Sequence, residues 1–197
     1  LLQTQMKNDD LSLRYGRSKS NSKNDIVINP SILVNKISNT NLDRDEVMIG
    51  TVVHEAIHAT NNYILDSESL NKLFPDELDD VEDIDDVLEI LTGPFGKYVF
   101  DILIHSIEEK IFVKQYEGLN SILEDMYSES FSEIKKLGNF SQYLSLLFHS
   151  ITSYIDPEFE NYKKPVISSL NESLHILKTL SYEDVNVSEL IEATVQM

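Results

Sequence analysis

The chain has no cysteine and no tryptophan. Without thiols there is no disulfide framework and no thiolate zinc site, so any metal must be held by histidine and carboxylate. That donor set suits a catalytic site, which keeps a position open, better than a closed structural one. Basic residues are scarce. The 16 Lys and Arg stand against 34 Asp and Glu, a formal net charge of −18. This balance argues against nucleic acid as a partner and against an anionic membrane surface. No run of eighteen apolar residues is present, so nothing in the sequence reads as a membrane span. Residues 1–24 lack the apolar core of a signal peptide, which favours a cytoplasmic location. The first residues are Leu1-Leu2 rather than Met, which reads as a fragment or a processed product.

What the sequence does contain is His54-Glu55-Ala56-Ile57-His58. The i, i+4 spacing puts both imidazoles on one face of a helix, one turn apart, where they can share a tetrahedral Zn²⁺. Glu55 lies about 100° further round, where it can reach a metal-bound water without ligating the metal, as a general base must. The flanking residues predict a helix over 43–60. Asp43 and Glu46 have the spacing of a capping box. Val47, Met48, Ile49, Val52, Val53, Ala56 and Ile57 leave most of the helix surface apolar, so the helix should be buried. Val47, Thr51, His54 and His58 fall on one stripe. Buried histidines and a glutamate need partners, because unpaired buried polar groups are costly. A metal supplies them. The blander alternative is a core helix with two hydrogen-bonded histidines and a surface glutamate.

Residues 1–24 are polar and read as a mobile arm. Ile26-Val27-Ile28 is a short strand ended by Asn29-Pro30. A short helix is expected over Ser31 to Ile37, and a loop or broken helix over 61–75. Asp76 to Glu89 carries nine acidic residues and no basic one, yet Leu78, Val81, Ile84, Val87, Leu88 and Leu91 recur at helical spacing. An amphipathic helix with a solvated acidic face follows. Thr92-Gly93-Pro94-Phe95-Gly96 is a turn. Further helices are expected over 97–117, 119–137, 140–154, 163–180 and 187–195, broken at Gly138-Asn139, Asp156-Pro157 and Pro165. Strand content is low, so the class is mainly α with a small β element (α+β).

A catalytic zinc takes three protein ligands. The longer pattern with a third histidine is not met, because Asn61 and Ile64 stand where it needs Gly and His. The helix over 97–117 offers Glu108 and Glu109. On a helical wheel its apolar stripe is Phe100, Leu103, Ile104, Ile107 and Ile111. Glu108 borders that stripe, and Glu109 lies about 160° away, towards solvent. Glu108 is therefore the favoured ligand, with Glu109, His105 and His149 left open.

A His-Glu-x-x-His helix with a downstream helical Glu resembles the gluzincin-type zinc metallopeptidases, especially their minimal-domain members. The resemblance covers roughly residues 25–117. It implies a zincin-like core there, with residues 76–91 as an acidic insertion and 118–197 as an all-helical C-terminal extension. It also implies that the strand near Asp25 to Asn29 pairs with an extended peptide substrate. Tyr98, His105, Tyr116, His149 and Tyr154 are candidates for an oxyanion donor. The expected function is a zinc endopeptidase acting on polypeptide, with His54, His58 and Glu108 on Zn²⁺ and Glu55 as general base. The rival is a non-catalytic helical interaction domain of a larger assembly.

Overall fold

The computed structural model describes residues 12–15, 25–28, 43–60, 84–131, 133–154, 159–180, 182 and 185–197; side chains of residues 12–15, 25–28, 55–60, 84–85, 117, 129 and 130 lie outside that description. The protein is mainly α. Two compact units divide it: residues 1–62 with 108–132, and residues 63–107 with 133–197.

In the first unit, strands β1 (Ser12–Tyr15) and β2 (Asp25–Ile28) pair in parallel, Leu13 opposite Ile26 and Tyr15 opposite Ile28. Strands this short add no sheet layer, so they leave the helical class unchanged. β1 comes from the polar arm. Helix α1 (Arg44–Thr60) carries the motif and lies against β2. Asp43 starts it by capping: its Oδ1 accepts from the Asp45 amide at 2.8 Å, and its own amide donates to Glu46 Oε2 at 3.3 Å. Two orphan donors of the helix start are thereby satisfied reciprocally. Val47, Thr51 and Val53 are buried, and Thr51 returns its hydroxyl proton to the Val47 carbonyl. Met48 and Ile49 are exposed, contrary to the all-round burial that their side chains suggested. They lie about 80° and about 180° round the helix from the middle of the Val47–Thr51 stripe.

Helix α4 (Asn120–Phe131) packs on α1. Gly50 is the reason the two approach closely: a Cβ there would come within 3.1 Å of Met126 Sδ and 3.4 Å of Ile122 Cγ2. Leu123 and Met126 form the buried side of α4.

The second unit holds α2 (Ile84–Thr92), α5 (Asn139–Thr152), α6 (Lys164–Leu177) and α7 (Val187–Gln196). In α2, Val87 and Leu88 are buried while Asp86 and Glu89 face solvent, which is the amphipathic pattern of its sequence. A 3₁₀ turn over Gly93–Phe95 follows, with Gly93 at φ +69°, a left-handed conformation that glycine takes without strain. Gly96 then admits the Thr92 side chain so closely that no Cβ would fit. Leu146, Leu147, Ile151, Leu170, Leu177, Leu190 and Ile191 are buried and give this unit a core of ordinary aliphatic character. Asn186 and Glu189 close a capping box at the start of α7.

Helix α3 (Gly96–Gln115) belongs to both units, its residues to Ile107 in the second and from Glu108 in the first. The short helix expected over Ser31 to Ile37, the 61–75 segment and the acidic residues 76–83 lie outside the described residues. No helix among the described residues is long and apolar enough to cross a membrane.

Candidate metal centre

His54 sits three turns into α1, and its backbone position follows from the cap at Asp43 and the burial of Val47 and Thr51. Its Nδ1 lies 2.8 Å from Glu109 Oε1. The Tyr127 hydroxyl donates to the same oxygen at 2.7 Å and stands 3.0 Å from His54 Nδ1. Three side chains from α1, α3 and α4 thus close one small triangle inside the first unit. The rings of His54 and Tyr127 meet edge to face, with centroids 6.5 Å apart.

Glu109 is fully buried and the His54 side chain 25 % exposed. The helical wheel had turned Glu109 towards solvent, and the structure corrects this. The wheel assumed one buried face along the whole of α3. Up to Ile107 that face is Val99, Phe100, Leu103, Ser106 and Ile107. From Glu108 the helix enters the other unit, where both carboxylates are buried. A helix that passes from one unit to another has two buried faces, and a single apolar stripe cannot report the second.

Glu108, the favoured third ligand, is also buried. The other candidates are placed elsewhere. His105 is in the second unit and donates from Nδ1 to the Asp101 carbonyl of its own helix at 2.6 Å. His149 is buried there too, its ring edge-on to Phe148. Tyr154 packs near Phe148, Tyr98 is an exposed residue beside Phe140, and Tyr116 tilts over Phe112. The side chains of Glu55 and His58 lie outside the described residues, so of the motif only His54 is placed. Among the described residues no group of three or more His, Asp or Glu side chains converges as a metal cage.

Two features of His54 and Glu109 nevertheless suit a metal. A histidine ligand characteristically gives its second ring nitrogen to a carboxylate, which orients the ring and raises its basicity. His54 has that partner in Glu109. Second, Glu109 Oε1 serves two neighbours while Oε2, equally buried, has no hydrogen-bond partner among the described residues. A buried carboxylate held this way is costly unless positive charge stands nearby. A divalent cation on the far nitrogen of His54 would supply it.

Tyr127 was not singled out by sequence reasoning. It is one residue from Met126 on the buried side of α4 and reads there as a boundary aromatic. Nothing local to its segment signals a partner 73 positions away.

Comparison of the chain with protein-family profiles, with curated proteins and with solved structures finds no match, so what it does must be argued from this site.

Proposed function

We propose that the chain is a zinc-dependent endopeptidase with a zincin-like core. The observation that carries the reading is the 2.8 Å contact of Glu109 with His54 Nδ1, reinforced by Tyr127. It equips the first histidine of His54-Glu55-x-x-His58 with the carboxylate partner a zinc-bound imidazole uses. In this reading His54 and His58 hold Zn²⁺ from one helix face and Glu108 supplies the third ligand. The metal, when bound, supplies a water of lowered pKa and a Lewis acid for the peptide carbonyl. Glu55, next to His54 on the same helix, takes the proton of the attacking water and delivers it to the departing amine. An extended polypeptide pairs with the edge of β2 along Ile26-Val27-Ile28 by β-augmentation. β2 is a sensible template because it lies against α1 and its second edge carries no strand among the described residues.

The test is the metal content of purified protein, read with cleavage of an unstructured protein substrate. About one zinc per chain and chelator-sensitive cleavage are expected. Protein that neither contains nor takes up zinc would defeat the reading.

The second reading, a non-catalytic helical interaction domain, draws on one observation in the second unit. Phe95, Tyr98 and Phe140 form an exposed ring cluster, with Phe95 and Phe140 centroids 5.1 Å apart. Zinc uptake without cleavage of any peptide would favour it.

A further inference from the structure

We infer that a cleft in the second unit binds a small amphiphile, an anionic monocarboxylate with an apolar body. The inference is independent of the zinc reading, since every residue lining the cleft belongs to the second unit.

The cleft has a volume of about 530 Å³, inside the range of roughly 300–1,000 Å³ usual for small-molecule sites. Val99 and Val166 line it while only 8 % and 3 % exposed, so its floor is recessed. Leu91 at the end of α2, Phe95, Phe140 and Val195 on α7 form its walls. Phe95 and Phe140 meet edge to face, and both are exposed, as is Val195. Wet apolar side chains around a recessed apolar floor are covered best by a guest that enters with hydrocarbon.

The polar groups at the edge decide the other end of that guest. No Asp or Glu stands among the described residues that line the cleft, in a chain that has 34 of them. Asn139 lines it and accepts a bond from Lys163 Nζ at 2.9 Å. This puts an ammonium at the edge, where α5 and α6 begin. Among the described residues that ammonium meets no carboxylate. The Asn139 side-chain amide and the Ser169 hydroxyl, also on the cleft, are further donors. A cation and donors beside an apolar cleft select an anion with an apolar body. One ammonium matches one negative charge, hence a carboxylate.

Calorimetric titration of the full chain with straight-chain carboxylates, below their micelle concentrations, tests this. Decan-1-ol and decyltrimethylammonium serve as neutral and cationic probes. Affinity should rise about two- to fourfold for each CH₂ added on the way to decanoate. At low salt decanoate should bind about fivefold more tightly than decan-1-ol, the scale of one exposed ion pair. That margin should shrink in about 1 M salt. Methyl NMR should place decanoate at Val99, Val166 and Val195. Lys163→Gln should erase the margin and leave the affinity for the alcohol unchanged. Ser169→Phe should fill the cleft and weaken every probe. Both positions are exposed, so neither variant disturbs the core. Decanoate that fails to bind at millimolar concentration, or that shifts methyls elsewhere, would overturn the inference. So would wild-type protein that binds the alcohol or the cation as well as decanoate, or a Lys163→Gln chain that keeps the full margin.

Discussion

The two units bury polar groups in different ways. In the second unit several buried hydroxyls are satisfied within their own helices. Thr152, Ser173 and Thr194 each return a proton to the carbonyl four residues back, and Ser106 does the same in α3. Gln142 donates to the Lys135 and Leu137 carbonyls at the start of its helix. Such groups cost little and specify little beyond local conformation. In the first unit Thr51 bonds back in the same way, but the buried polar groups there include two carboxylates, Glu108 and Glu109, and the bonds of Glu109 run between helices. Buried ionisable groups are expensive, and on the proposed reading Glu109 is kept beside His54 for chemistry rather than for stability.

The sharpest way to break this comparison is to remove chemistry without touching structure. Glu55→Gln keeps the shape of the side chain but cannot act as a base. Cleavage should fall about 10²–10⁴-fold with zinc content unchanged. Undiminished cleavage by the variant would take catalysis away from the motif helix.

The opposite change removes structure without touching chemistry. Leu170 is fully buried in the second unit. Leu170→Ala should cost about 2–5 kcal/mol of stability, read by denaturant unfolding. Zinc bound per folded molecule should stay the same, because every proposed ligand lies in the first unit. Loss of zinc from folded variant would mean that the two units do not divide the labour as described.

Metal removal should be smaller and local. At a free zinc concentration 100 times Kd, binding stabilises by about 2.7 kcal/mol. Chelation should therefore speed amide hydrogen exchange in α1 and α4 while amides of α5, α6 and α7 keep their protection. Equal changes in all five helices would show that the metal acts on the whole chain.

Much of this organisation was legible in the sequence, and the illegible parts share a cause. Helix limits followed from local chemistry: Asp43 at the start of α1, Gly93-Pro94 before α3 and Pro165 at the start of α6. Each acts within four residues, the range over which caps and breaks operate. His54 was marked by its own motif. Glu109 was misjudged because its burial depends on which unit that half of α3 enters, and Tyr127 was passed over because its partner is far away in sequence. The exposure of Met48 and Ile49 belongs to the same class. Periodicity reports that a residue is apolar, and only the packing of other elements decides which apolar face is covered.

The smallest expected effect comes from a polar bond that joins two helices of the second unit. Tyr143 on α5 and Ser173 on α6 have hydroxyls 2.7 Å apart in a buried setting. Burial pushes the Tyr143 phenol above its ordinary value of 10.0, and the Ser173 hydrogen bond only partly opposes this. The folded chain therefore keeps a proton that the unfolded chain loses once the pH passes about 10. Wherever the unfolded state binds fewer protons, stability falls as pH rises. The contribution of Tyr143 is fully present below pH 10 and is lost as pH climbs through its raised folded value. Tyr143→Phe should cost about 1 kcal/mol at neutral pH, the net worth of one hydrogen bond. It should also flatten the alkaline limb of the stability curve, so that variant and wild type converge at high pH. Parallel curves across that limb would show that Tyr143 is not titrating in the fold.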